Sequence, residues 1–161
     1  MAKYIIVEGP DGAGKTTYIK QLMEQFPKAV YGHFDAPATD QEAFNYWRVY
    51  AEFIKANRNA DVVILDRSWY SDMVYAPIFR GREEMTPENM ETLELLVKAC
   101  GGGFIIYCTA APRILWKRCQ QRGEDYVTSS IQLKTLRNKY EEVMKKAIHL
   151  PVFRIDTGVK W

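Results

Sequence analysis

Short, wholly apolar runs recur along this chain, and amphipathic stretches separate them. Tyr4-Ile5-Ile6-Val7, Val62-Val63-Ile64-Leu65 and Phe104-Ile105-Ile106-Tyr107-Cys108 carry no polar position. Runs this short and unbroken are read as strands buried on both faces. Ala29 to Phe34 reads as a further strand ending at Asp35-Ala36-Pro37, and Val152 to Asp156 as the last. Between them the period changes from two to nearly four. Thr17 to Met23 predicts one helix. A second begins near Asp40, whose side chain can cap it, with Phe44, Trp47, Ala51 and Ile54 as its apolar face. Trp69 to Phe79 is aromatic-rich and predicts a helix as far as Pro77. Thr86-Pro87-Glu88 supplies a capping hydroxyl, a proline at the first helical position and an acid behind it. That helix runs through Leu93, Leu96 and Val97 to the Gly101-Gly102-Gly103 stop. Pro112 opens another over Arg113 to Gln121, and Ser130 caps a long one with Leu133, Leu136, Tyr140 and Val143 on one face.

Strands alternating with helices predict an α/β fold of three layers, a five-stranded parallel sheet flanked by helices. No repeat, low-complexity tract or linker divides the chain, so a single domain over 1–161 is expected. In such sheets ligands bind at the carboxyl ends of the strands. Those ends carry Glu8, Asp35, Asp66-Arg67, Thr109 and Asp156-Thr157, so the polar chemistry converges on one edge. Composition changes little. At 161 residues, with 47% hydrophobic and 26% charged residues, the chain is ordinary for a globular protein. A net charge of +2 is too small to argue for wholesale nucleic-acid or membrane binding, and it leaves room for a local basic groove. Cys100, Cys108 and Cys119 lack metal-ligand spacing and are read as buried free thiols. With no signal-like leader and no membrane-length apolar run, a cytoplasmic protein is expected.

The chemistry enters at Gly9-Pro10-Asp11-Gly12-Ala13-Gly14-Lys15-Thr16, a glycine, four residues, then Gly-Lys-Thr, lying between a predicted strand and a predicted helix. This is the P-loop pattern. Its backbone N–H groups curl around a phosphate, and the helix N-terminus adds partial positive charge. Asp11, Gly12, Ala13, Gly14, Lys15, Thr16 and Thr17 are therefore expected around ATP. Lys15 would reach the β- and γ-phosphates, and the Thr16 hydroxyl would hold Mg²⁺. Asp66, ending a buried strand, is the carboxylate expected to steady Mg²⁺ directly or through water, against the blander reading of a helix cap. Arg67 beside it can clamp a phosphate. Arg118 and Arg122 share a helical face next to Gly123-Glu124-Asp125-Tyr126, a short lid near 122–129. There they can stabilise charge on a transferring phosphoryl group or simply face solvent. Arg48, among Phe44, Tyr46, Trp47 and Tyr50, can stack on a nucleobase or snorkel. His33 and His149 are read as structural.

Together these residues resemble the thymidylate kinase and deoxynucleoside kinase superfamily of P-loop kinases, from Glu8 to Asp156. Glu8 to Thr17 looks like the thymidylate kinase P-loop, and the resemblance implies that Asp11 contacts the acceptor sugar. It implies that Phe44 and Arg48 pack on and read the acceptor base, that Asp66-Arg67 positions metal and phosphate, and that Arg122-Gly123-Glu124-Asp125 is the lid. Glycine at position 12 means that a lid arginine would supply the catalytic positive charge. Arg67-Ser68-Trp69-Tyr70-Ser71-Asp72 is similar instead to the deoxynucleoside kinases, which phosphorylate a 5′-hydroxyl with a carboxylate base near the end of strand two. Asp35 would be that base, with Tyr70 and Asp72 near the acceptor. Thr157-Gly158-Val159 would be the adenine-contacting loop. A homodimer is also plausible by resemblance.

The expected function is ATP- and Mg²⁺-dependent phosphoryl transfer to a deoxynucleoside monophosphate, dTMP to dTDP. One alternative is a hydroxyl acceptor, on a deoxynucleoside or on a modified base, the only route by which DNA becomes a partner. A non-catalytic P-loop switch is the alternative from another class, and Asn138-Lys139-Tyr140-Glu141 does not complete the guanine-reading pattern such switches carry.

Overall fold

The computed structural model describes residues 1–123 and 127–158. Its elements in order are β1 (Lys3–Glu8), α1 (Lys15–Gln25), β2 (Val30–His33), α2 (Asp40–Phe44), α3 (Tyr46–Ala56), β3 (Val62–Asp66) and α4 (Trp69–Tyr75). A π-helical turn (Ala76–Arg80), α5 (Pro87–Cys100), β4 (Gly103–Thr109), α6 (Pro112–Arg122), α7 (Ser130–Lys145) and β5 (Val152–Asp156) follow.

All five strands pair in parallel, in the order β2-β3-β1-β4-β5. The most apolar runs take the inner places. Ile5 stands opposite Ile64 on one side, and Ile6 opposite Ile105 on the other. Successive residues of a strand point to opposite faces. Because Tyr4 through Glu8 are all buried, both faces of β1 are covered. The sheet is thus the flanked parallel sheet that the alternation of elements predicts. Helices pack on it in groups, α3 against α5 and α4 against α7, which also meets α6. Trp69, Tyr4, Tyr50, Tyr70, Tyr107 and Tyr140 are the largest fully buried side chains.

Some local expectations shift. The segment after Asp40 is two helices rather than one, broken at Asn45, and Thr39 rather than Asp40 caps the first through its bond from Glu42 N. The buried face is Ala43, Tyr50, Ala51 and Ile54; Phe44 is 81% exposed. Ser129, not Ser130, caps α7 by accepting from Gln132 N. Pro77 does not end the helix of α4, because the chain widens into the π-turn and continues to Arg80. A π-turn leaves room for a residue without an N–H, and such turns gather at functional sites. Thr86 caps α5 with Pro87 at its first position, as the sequence predicts.

Candidate active site

The loop between β1 and α1 is shaped by close approaches that only glycine permits. Gly9, Gly12 and Gly14 all have positive φ, and a Cβ on Gly9 would lie 2.2 Å from the Cys108 carbonyl oxygen. The loop delivers Lys15 to the first turn of α1. Burial, and then the nearby Arg67, push the Lys15 ammonium down to about 8, against its pull toward Asp11, Glu8 and Asp66. An anion in the loop reverses that penalty, the behaviour wanted of a phosphate-binding lysine.

Three recesses surround the loop. The first, about 350 Å³, is lined by Asp11, Phe34, Asp35, Ala36, Arg67, Ser71, Asp72, Tyr75 and Arg80. Arg67 forms its inner wall. It is the one non-glycine with positive φ among the described residues, at 66°. Its Nη2 donates to Asp11 Oδ1 at 3.3 Å, and its Nη1 to Tyr140 Oη at 3.2 Å and Ser71 Oγ at 3.3 Å. Its guanidinium lies 5.0 Å over the Tyr75 ring. The far wall holds Asp72, whose Oδ2 accepts from Tyr50 Oη at 2.5 Å and whose Oδ1 lies 4.0 Å from Arg80. Burial pushes the Asp72 carboxyl up to about 7 despite the Tyr50 bond. The buried Glu84 takes two bonds from Arg80, at 2.6 and 2.8 Å, and another from Arg82, which also pairs with Asp40.

A second recess, about 800 Å³, lies on the other side of the loop, lined by Gly12, Gly14, Thr17, Tyr18, Gln21, Arg118, Gln121, Arg122, Ile155, Asp156 and Thr157. Arg118 is held by protein partners at the edge of this recess. It ties the loop to the end of β5, donating to Gly12 O at 3.0 Å and to Thr157 Oγ1 and O at 2.8 Å each. Thr157 Oγ1 in turn donates to Ala13 O at 2.8 Å. Three backbone and side-chain acceptors thus hold the guanidinium whose helical face suggests charge stabilisation. Arg122 lines the same recess at the end of α6. Of the lid expected near 122–129, residues 124–126 lie outside the described residues, as does Val159 of the adenine-contacting loop.

Thr16 and Asp66 line a third recess together. Asp66 Oδ2 accepts from Tyr31 Oη at 2.5 Å and lies 3.0 Å from His33 Nδ1. The other ring nitrogen of His33 sits 3.0 Å from Asp35 Oδ1. His33 therefore bridges the carboxylates that end β2 and β3, a role its isolated place in the sequence does not reveal. A hydroxyl and a carboxylate are hard oxygen donors of the kind Mg²⁺ takes, with water and phosphate completing its shell. The pair fits that ion.

Three expected acceptor residues fall outside the first recess. Phe44 is exposed at the end of α2, and Arg48 is exposed beside it, its guanidinium 5.5 Å over Trp47. The resemblance places both on the acceptor base, but Phe44 ends α2 facing solvent and Arg48 lies on the exposed side of α3. Tyr70 is fully buried against Trp69, centroids 5.1 Å apart, with burial raising its pKa well above 10. Successive residues of α4 point in different directions, so Ser71 and Asp72 face the recess and Tyr70 the core. Arg80, Glu84, Tyr75 and Ser71 were missed. The four-residue spacing of Arg80 and Glu84 was a signal, but Pro77 between Asp72 and Arg80 argued against a continuing helix.

Comparisons with known proteins agree with this fold. The SPbeta prophage-derived uncharacterized protein YorR of Bacillus subtilis (strain 168) is 29% identical over 157 residues, 96% of this chain and 88% of YorR. The crystal structure of YorR in complex with phosphorylated GDP superposes with a TM-score of 0.74, at 28% identity, covering 96% of this chain and 86% of that one. Deoxyadenosine kinase from M. mycoides, with products dCMP and dCDP bound, shares the fold, with a TM-score of 0.61 at 18% identity over 98% and 92% of the two chains. The model of the polyphosphate kinase 2 family matches residues 2–91, more than half of the chain. With the phosphate-binding loop, the parallel sheet and the flanking recesses in place, the chain belongs to the polyphosphate kinase 2 (PPK2) family, within the P-loop nucleotide kinase-like superfamily.

Proposed function

We propose that this chain is a single-domain kinase that transfers the terminal phosphoryl group of Mg²⁺-bound ATP to the hydroxyl of a deoxynucleoside-type acceptor. The donor would lie across the phosphate-binding loop, with Lys15 on its β- and γ-phosphates and its base toward Arg118 and Thr157. Thr16 and Asp66 would hold Mg²⁺, which when bound neutralises charge on the phosphates. The acceptor would lie in the recess between Arg67 and Asp72, its sugar against Asp11 and its base against Asp72 and Arg80.

The charge of that recess carries the choice of acceptor. Asp11, Asp35 and Asp72 face only Arg67 and Arg80 among its lining residues. Both arginines already serve carboxylates, Arg67 at Asp11 and Arg80 at Glu84. Even with Asp72 protonated, the lining offers no surplus positive charge to a phosphate dianion. A neutral acceptor meets no such repulsion, but its hydroxyl needs its proton taken. Asp35, 87% exposed in its side chain and steadied by His33, stands at the mouth for that task. The acceptor oxygen forms its bond to the γ-phosphorus as the bond to the β–γ bridging oxygen breaks. Asp35 takes the hydroxyl proton, and ADP leaves.

A second reading keeps the donor half and takes a monophosphate, dTMP to dTDP. It is favoured by Arg67, which lies where an incoming phosphate would displace Asp11, and by the nucleotide bound in YorR.

Transfer from labelled ATP to deoxynucleosides, their monophosphates and DNA carrying hydroxylated bases separates the readings. We expect label on a deoxynucleoside, lost with Lys15→Ala and reduced at least about a hundredfold in kcat with Asp35→Asn. Label on monophosphates alone, untouched by Asp35→Asn, would select the second reading. Slow ATP hydrolysis with no acceptor labelled would leave a nucleotide switch.

A further inference from the structure

Tyr140 reads in the sequence as one more apolar position of a long helix, yet its hydroxyl reaches the centre of the site. It lies 3.0 Å from Glu8 Oε2, 3.1 Å from Ser71 Oγ and 3.2 Å from Arg67 Nη1. Glu8 is fully buried and is the last residue before the phosphate-binding loop. Its carboxylate accepts from Ser68 Oγ at 2.7 Å, from Ser71 N at 3.2 Å and from Ser71 Oγ at 2.6 Å, as well as from Tyr140. A guanidinium can only donate and a carboxylate only accept. The direction of the chain is therefore fixed: Arg67 donates to Tyr140, and Tyr140 donates to Glu8.

Arg67 needs such a restraint. A non-glycine residue in the left-handed region costs on the order of 1–3 kcal/mol and persists where its surroundings over-determine it. The Arg67 backbone N–H is held by Val7 O at 3.1 Å, and Nη1 reaches Gly9 O at 3.5 Å. With Nη1 engaged by the scaffold and one N–H of Nη2 on Asp11, the second N–H of Nη2 is left to meet a ligand oxygen. We propose that Tyr140 is a positioning residue of the phosphoryl-transfer site, its hydroxyl referring the Arg67 guanidinium to Glu8 and hence to the phosphate-binding loop. The assignment rests on the proposed transfer, with Arg67 meeting the phosphoryl group as it passes to the acceptor hydroxyl. The ring of Tyr140 has a separate packing role, stacked on Tyr107 with centroids 5.7 Å apart and edge-on to Tyr75 at 6.1 Å.

Tyr140→Phe keeps the ring and removes only the oxygen, and a double-mutant cycle with Arg67→Lys isolates the coupling. In the wild-type background we expect kcat to fall at least about tenfold with the ATP KM within about twofold. A lysine cannot present the guanidinium fork, so in Arg67→Lys the same change should cost less than about twofold. Equal losses in both backgrounds, or no loss in the wild type, would overturn the role of Tyr140 while leaving the kinase reading intact. A wild-type rate in Arg67→Lys would instead refute the reading of Arg67, and this assignment with it. Thermal midpoints report folding. If Tyr140→Phe does not fold, 3-fluorotyrosine at position 140 decides: it keeps the hydroxyl but makes it a weaker acceptor for Arg67, so kcat should fall at least about twofold in the wild type and not in Arg67→Lys, and equal rates in both would overturn the role.

Discussion

Asp72 ties stability to pH in a way the structure allows to be worked through. Asp72 is 4% exposed, and burial raises its carboxyl from 3.8 to about 7, with the Tyr50 hydrogen bond pulling the other way. Between about pH 4 and 7 the folded chain keeps a proton there that the unfolded chain has released. The folded state binds more protons, so unfolding free energy falls as pH rises through that window. About three units at about 1.4 kcal/mol each give roughly 4 kcal/mol across the window, an upper value because water in the recess relaxes the charge. Asp72→Asn has the same shape, can accept from Tyr50 and cannot ionise. Urea unfolding at pH 4.5 and pH 8 for both proteins isolates this group, since the other titrating groups cancel in the difference. We expect the wild type to lose about 2–4 kcal/mol more than Asp72→Asn between the two pH values. Parallel profiles, differing by less than about 1 kcal/mol, would refute the burial argument. The variant should also be the more stable protein at pH 8 and the poorer binder of acceptor, the usual exchange at a site that holds an uncomfortable group.

Other consequences follow from single contacts. Arg118→Ala leaves Gly12 O and both Thr157 oxygens without their donor, so the ATP KM should rise about tenfold, near 1.4 kcal/mol, with the acceptor KM unchanged. Steady-state kinetics with each substrate varied checks this, and a change confined to kcat would return Arg118 to charge stabilisation. Gly101→Ala would put a Cβ 1.8 Å from the Ala2 carbonyl oxygen at a φ of 141°, whereas at Gly102 the nearest atom is the movable Lys3 Nζ at 3.7 Å. Gly101→Ala should therefore cost at least about 3 kcal/mol and Gly102→Ala nearer 1 kcal/mol, read as thermal midpoints; equal shifts would show that backbone conformation, not the close approach, sets the cost.

The two kinds of legibility here have different physical origins. Val62 to Leu65 and Phe104 to Cys108 announce inner strands because a strand buried on both faces holds a polar side chain only where it finds hydrogen-bond partners, as Glu8 does at the end of β1. Gly9, Gly12 and Gly14 announce the loop because its backbone conformations and close approaches exclude a Cβ. These are local constraints, and local constraints are written in local sequence. Phe44 and Arg48 show where that ends. Helical period places Phe44 on one face with Ile54 only if the helix is continuous, and the break at Asn45 re-aims it, while Arg48 lies within α3 on a side turned away from Ile54. Tyr70 and Asp72, two residues apart on one short helix, differ in fate only because Trp69 packs on one side and the recess opens on the other.

By itself, then, the sequence determined the strands, the phosphate-binding loop, the carboxylates at the strand ends and the parallel sheet that gathers them on one edge. Each follows from which backbone and which burial a residue type can bear. Tertiary structure alone decided the partners: Arg118 on Thr157, His33 between Asp35 and Asp66, Arg80 on Glu84, and Tyr140 between Arg67 and Glu8. Glu8 and Tyr140 stand 132 residues apart in the chain. A hydrogen bond spans only about 3 Å, so it forms only once packing has brought its two ends together.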